Sequence, residues 1–184
     1  MVVIPRRAIL LSHEGLLFDE CFGRPSIDRL SQLVSVDKAE KPEIRHIFDF
    51  APSGTFDEVW IPNLATQGWT VITSDRGSQP NRNRGEKLPR LCARYAITHI
   101  LLSPTVHGRT SFEKLLTVLD VWYDLLGIAS DPAQRGKRYV LEPMSNLERG
   151  RGRLTERAIK SDLIALRDEY LKSIGEDPPL PKPN

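Results

Sequence analysis

Short apolar runs alternate with amphipathic stretches along most of the chain, which is the pattern of strand–helix units that build a mainly parallel sheet. Leu16-Leu17-Phe18 is a compact run that predicts a buried strand ending at Asp19-Glu20. Pro25 then stands where a first helical turn tolerates it, and Ile27, Leu30, Leu33 and Val34 follow at helical spacing. Residues 44–50 alternate and predict a second strand. Thr55-Phe56-Asp57-Glu58 has the Thr-x-x-Glu pattern of a capping box, opening a helix through Val59, Trp60 and Leu64 that stops at Gly68. Pro62 shortens or kinks that helix, because it lacks an N–H and crowds the preceding turn. Trp69 to Thr73, rich in β-branched and aromatic residues, predicts a third strand ending at Ser74-Asp75.

A polar loop over 76–87 follows, with Gly77, Pro80, Asn81, Asn83 and Gly85. Leu88, Leu91, Cys92 and Tyr95 make the next helical face, with a late start expected at Pro89. His99 to Ser103 is another short strand. Thr110-Ser111-Phe112-Glu113 is a second capping box, and Phe112, Leu115, Leu116, Leu119, Trp122, Tyr123 and Leu126 predict one long helix with a wide apolar stripe. After Gly127 the composition shifts. Residues 131–153 read as a basic loop, 154–172 as one amphipathic helix, and the Pro-rich 178–184 as a frayed tail. The expected organisation is a globular domain over 1–130 and an extension over 131–184.

Composition adds exclusions rather than a function. With 26 Lys+Arg against 24 Asp+Glu the formal net charge is +2, so only the distribution of charge is informative. Two cysteines, Cys21 and Cys92, offer no disulfide framework and no zinc set, and they fit a reducing compartment. No apolar run is long enough to span a bilayer, and the charges of Val2-Val3-Ile4-Pro5-Arg6-Arg7 follow its apolar residues, so a cytoplasmic protein is expected. Walker and Rossmann glycine patterns are missing from the sequence.

The candidate chemistry lies in acids at the carboxyl ends of predicted strands, the edge where open parallel sheets form ligand crevices. Asp19 and Glu20 close the first strand, Asp75 closes the third, and Asp57 opens the intervening helix, whose start faces the same edge. Carboxylates converging on one crevice repel one another unless a hard cation joins them, and Mg²⁺ or Mn²⁺ prefers oxygen ligands. Such an ion acidifies bound water and polarises phosphate, the equipment of a metal-dependent phosphodiesterase. Each acid also has a plainer role: a turn or cap for Asp19, solvation for Glu20, the capping box for Glu58, the helix dipole for Asp57 and an Asx-turn for Asp75. The combination carries the weight.

Phe18-Asp19-Glu20 after an apolar strand, then Asp57-Glu58-Val59-Trp60, Ala65, Gly68-Trp69 and Val71-Ile72-Thr73-Ser74-Asp75, resemble the PIN-like nuclease domains, including the VapC-type toxin ribonucleases. The similarity covers roughly residues 15–127. It implies a three-layer α/β sandwich with a central, mostly parallel sheet of four or five strands between helices. It also implies hydrolysis of RNA by a metal-activated water. In that resemblance Asp19, Asp57 and Asp75 are the carboxylates that hold Mg²⁺ or Mn²⁺, Glu20 is an auxiliary acid, and Glu58 replaces or assists Asp57. Where the family often adds a further acid, this chain has Arg76, Gly77, Ser78 and Asn81. A toxin would imply an antitoxin that covers the crevice.

Basic residues form a second hint. Arg76, Arg82, Arg84 and Lys87 lie beside the expected site and are candidate phosphate contacts, and eight further Lys/Arg (Arg135, Lys137, Arg138, Arg149, Arg151, Arg153, Arg157, Lys160) fall within 134–160. The plain alternative is a solvated loop, or a segment that orders on RNA or an acidic partner. His46 and His99 read as packing residues, while His107 after the last core strand borders the crevice if it acts at all; Ser103 and Thr105 are hydroxyls near the same edge. Two other readings stay open: a catalytically inert PIN-like module that binds nucleic acid or a partner, and a receiver-like phospho-acceptor domain. The second normally has a lysine after its last strand, where this chain has Ser103-Pro104. Apolar positions on the expected extension helix would suit a homodimer.

Overall fold

The structure is a computed structural model, and it describes residues 15–34, 43–65, 67–75, 87–145 and 150–178. The elements in chain order are β1 (Gly15–Phe18), α1 (Arg24–Val34), β2 (Glu43–His46), α2 (Asp57–Ala65), β3 (Trp69–Thr73) and α3 (Leu88–Arg94). They continue with β4 (Thr98–Leu102), α4 (Pro104–His107), α5 (Ser111–Asp120), α6 (Trp122–Ser130), β5 (Arg138–Pro143), β6 (Gly152–Arg157) and α7 (Ser161–Ser173). One six-stranded sheet runs β2-β1-β3-β4-β5-β6; all neighbours are parallel except the antiparallel β5–β6 pair.

Helices cover both faces of the sheet, so the central strands β1, β3 and β4 are buried at every position rather than at alternate ones. Leu16, Phe18, Ile72, Ile100 and Leu102 point to one side and pack with Ile27 and Leu30 of α1, Val118 of α5 and Leu125 of α6. Leu17 and Val71 point to the other and pack with Trp60, Ile61 and Leu64 of α2 and Leu91 and Cys92 of α3. The three-layer α/β sandwich expected from the sequence is the observed architecture. Gly15 shows how closely the layers pack: a Cβ there would lie 2.4 Å from the Trp69 ring, so only glycine fits.

Several local expectations are corrected. The sheet has six strands rather than four or five, and residues 131–153 are not a basic loop. They supply β5, whose Ile100↔Tyr139 and Leu101↔Val140 pairing continues the sheet past β4. Residues 154–157 belong to β6 rather than to a helix over 154–172. Leu154 pairs with Leu141 and Thr155 with Val140, and α7 begins only at Ser161. An edge strand carries charges on its open side, which disguises it as loop. The boundary at residue 130 therefore does not coincide with an edge of the sheet.

The second strand also ends early. His46 Nδ1 accepts from Phe48 N–H at 3.2 Å and Asp49 accepts from His46 N–H at 3.2 Å, a reciprocal cap that closes residues 47–49 into a 3₁₀ turn. The capping box at Thr110 forms as expected. That at Thr55 does not: the Thr55 hydroxyl donates to Pro52 O at 2.7 Å, and the helix starts at Asp57. The long helix over 110–126 is two, broken at Val121, whose ψ of 19° leaves the helical range. The break turns Val121 and Leu125 inward and leaves Tyr123 78% exposed. The tail beyond residue 178 lies outside the described residues.

If 131–184 were an appendage, a chain ending at residue 130 would fold. Such a chain should not fold, because truncation strips β5 from β4 and uncovers Leu102, Ile100 and Val118. Far-UV circular dichroism and urea unfolding should show loss of the cooperative transition; a native-like transition in the truncated chain would contradict it.

Candidate active site

The sheet order reverses direction at β1: the chain moves out to β2, then crosses back to β3 on the other side of β1. The carboxyl ends of β1 and β3 are therefore where a crevice is expected. A cleft of about 550 Å³ lies there. Asp19 and Glu20 from the end of β1, Asp57 from the start of α2, Asp75 from beyond β3, and His107 from α4 all line it.

Backbone and side chain cooperate to hold the two strand-end acids. Asp19 N–H donates to Ile72 O at 3.0 Å, the last ladder bond between β1 and β3. The fully buried Thr73 hydroxyl donates to Asp19 Oδ2 at 2.6 Å and accepts from Asp75 N–H at 2.8 Å. Asp19 Oδ1 accepts from Glu20 N–H at 2.7 Å, capping the short turn that follows β1. One hydroxyl thus ties the two acids, and one carboxylate is fixed through both oxygens. Asp57 is held separately: its Oδ1 accepts from Trp60 Nε1 at 3.2 Å, so the tryptophan read only as core also orients an acid at the cleft wall.

Asp19, Glu20, Asp57 and Asp75, four of the five predicted acids, therefore share one cleft. Glu58 is not among the residues that line it, its Oε1 is buried without a hydrogen-bond partner, and the capping box expected of it with Thr55 does not form. Among the described residues no three His, Cys, Asp or Glu side chains stand close enough together to hold one metal ion. The donor chemistry nevertheless fits a hard cation. Mg²⁺ characteristically keeps several waters and takes only one or two protein carboxylates plus substrate phosphate. Asp19 and Asp75, joined through Thr73, provide such a pair.

The cation expectations divide. Arg76, Arg82 and Arg84 lie outside the described residues; Lys87 is exposed at the N-terminus of α3, next to the cleft residue Leu88. The described basic residues of the C-terminal part are not among those that line the cleft. Arg151 pairs with Asp120 at 2.9 Å, Arg153 and Arg157 share Glu142, and Arg135 pairs with Glu176. Arg149 lies outside the described residues.

Ser103 caps α4, its Oγ accepting from Val106 N–H at 3.3 Å, and does not line the cleft. Cys21 does line it, but burial first and Asp19 second push its thiol up to about 11, so it stays protonated and is no nucleophile. Sequence reasoning missed Thr73, although a hydroxyl two residues before a strand-end acid was the available signal.

A family model described as a PIN like domain matches residues 15–88, from β1 to the first residue of α3. The match takes in Asp19, Asp57 and Asp75 and supports a PIN-like domain. No curated protein and no solved structure matches the chain. No helix among the described residues is long and apolar enough to cross a membrane.

Two predictions follow from this geometry. Thr73→Val keeps the shape but leaves Asp75 N–H without its acceptor and Asp19 without its donor. Urea unfolding should show a loss of about 1–3 kcal/mol, largely restored in Thr73→Ser, and an unchanged midpoint in Thr73→Val would contradict the tie. His99, read as a packing residue, is fully enclosed; burial, and then the Arg138 guanidinium, lower its pKa from 6.5 to about 3. The unfolded chain then binds a proton near pH 6.5 that the folded chain refuses until about pH 3. Its contribution is present above pH 6.5 and is lost as pH falls towards 3, at up to about 1.4 kcal/mol per pH unit. His99→Leu should flatten that limb of the stability curve; an unaltered slope would contradict it.

Proposed function

We propose that the cleft between the ends of β1 and β3 is a metal-dependent nuclease site that hydrolyses RNA phosphodiester bonds. The observation that supports it best is the Asp19–Thr73–Asp75 tie, which brings two acids 56 positions apart in sequence onto one cleft wall. The PIN like match over residues 15–88 supports the same reading.

Asp19 and Asp75 would hold Mg²⁺ or Mn²⁺, which when bound supplies an acidified water and polarises a phosphate oxygen. The remaining roles fall to the chain. Thr73 fixes one Asp19 oxygen and the Glu20 N–H fixes the other, so this carboxylate faces the cleft without rotamer freedom. Asp57, steadied by Trp60, also lines the cleft and is the candidate to accept a proton from water. Glu20 is exposed at the rim and repels a misplaced phosphate. Lys87, exposed beside the cleft, neutralises a flanking phosphate, with Arg76, Arg82 and Arg84, which follow Asp75 in the sequence, as further candidates. As a toxin, the protein would need an antitoxin that covers this same crevice.

The wide spacing of the acids is the observation that favours a second reading, a catalytically inert module that holds nucleic acid or a partner. Purified protein incubated with a mixed pool of structured and single-stranded RNA separates the two. The nuclease reading predicts cleavage with Mg²⁺ or Mn²⁺, abolished by EDTA and reduced more than about a hundredfold in Asp75→Asn. Thr73→Val, which disturbs a ligand's support rather than a ligand, should lose about 10–100-fold. RNA retention in a salt-sensitive manner without cleavage favours the inert module, and neither cleavage nor retention overturns both.

A further inference from the structure

A second cavity, of about 230 Å³, lies at the opposite end of the sheet from the acidic cleft. It is walled by the first turn of α3, the start of β5, the segment between β6 and α7, and His99 near the beginning of β4. Arg90, Lys137, Arg138 and Lys160 all contribute to its lining, and no carboxylate does. Asp162, 3.8 Å from Arg90, and Glu156, 3.9 Å from Lys137, are not among the lining residues.

His99 is the unusual member. It is 2% exposed, and neither ring nitrogen has a hydrogen-bond partner. A buried imidazole left unsatisfied at both nitrogens costs about 1–3 kcal/mol for each missing bond, so an interior polar group of this kind marks a place where something else makes the bond. α7 adds a further donor set: it runs Ser161–Ser173, its N-terminus abuts the cavity through Lys160, and no side chain caps its first turn. Backbone N–H groups and the helix dipole there favour negative charge.

We infer that this cavity binds the phosphate group of a small molecule, with Lys160, Lys137 and Arg138 as its cationic contacts and His99 as its buried hydrogen-bonding partner. The chemistry is specific in three respects. The lining cations match an anion with more than one negative charge. His99 stays neutral at physiological pH, because burial and Arg138 lower its pKa to about 3, so its one N–H is free to donate rather than already spent on a protein carboxylate. The volume, below that of pockets for drug-sized ligands, suits a phosphate with a small body and not a polynucleotide. The inference does not depend on the reading of the acidic cleft, which shares none of these residues.

The test uses the full-length protein and amide-detected NMR titrations with inorganic phosphate and with a nucleoside 5′-monophosphate, against potassium chloride at matched ionic strength. Saturable shifts at the amides of residues 136–138 and 161–163 are expected, with affinity about tenfold weaker in Lys160→Gln and unchanged in Asp75→Asn. Lys160 is an exposed loop residue, so its variant keeps the fold even if Arg138→Gln or His99→Leu does not. Tighter binding of inorganic phosphate identifies the free ion as the ligand, and tighter binding of the monophosphate identifies an ester. Shifts that fail to saturate, that chloride reproduces, or that are equally strong in Lys160→Gln would overturn the proposal.

Discussion

The Thr73 hydroxyl is the junction on which the geometry of the acidic cleft depends. A hydroxyl has one hydrogen to donate and lone pairs to accept with; here the hydrogen goes to Asp19 and a lone pair to the Asp75 N–H. Only a hydroxyl side chain, threonine or serine, does both there. Valine would fill the space without bonding, and asparagine would not fit the fully buried site at the end of β3. The bond works only because β1 and β3 are parallel and paired with Phe18 opposite Ile72, so that the next residues of both strands, Asp19 and Thr73, leave the sheet side by side. A shift of one position would turn Thr73 to the other face. The apolar register that buries Leu16, Phe18 and Ile72 under α1 and α5 is thus also what sets the two carboxylates at the cleft.

Much of this was legible in the residues. Strands buried on both faces announce themselves as continuous apolar runs, which is why β1, β3 and β4 stand out without any alternation. Asp19 and Asp75 were readable as strand-end acids because an open parallel sheet allows ligand crevices on one edge only. Asp57 was readable as the opening of a helix whose start faces the same edge, but its support from Trp60 was invisible, since an indole at helical spacing looks like any other core residue.

What stayed hidden was decided by distant partners. Arg138-Tyr139-Val140-Leu141-Glu142-Pro143 mixes charge, aromatic and proline and resembles a loop by composition. It is a strand because β4 offers it an unpaired edge, and β6 then pairs with it across a hairpin. The basic character of this region misled in the same way: Arg151, Arg153 and Arg157 look like a free cationic rim, yet Asp120 and Glu142 meet them along the far edge of the sheet. The environment of His99 is assembled from α3, β5 and α7, segments that no local window connects. The two cavities thus lie at opposite ends of one sheet, one lined by acids at the carboxyl ends of β1 and β3 and the other by cations about the amino ends of β4 and β5.

Asp19 and Asp75 are proposed to act as one cation-binding pair. Paramagnetic broadening by Mn²⁺ tests it without reference to any substrate. With Mn²⁺ well below one equivalent, the amide signals of Glu20 and Ser74, which flank the two acids on different strands, should broaden together, and Asp19→Asn should abolish the effect at both. Broadening confined to one strand end, centred elsewhere, or undiminished in Asp19→Asn would contradict the account.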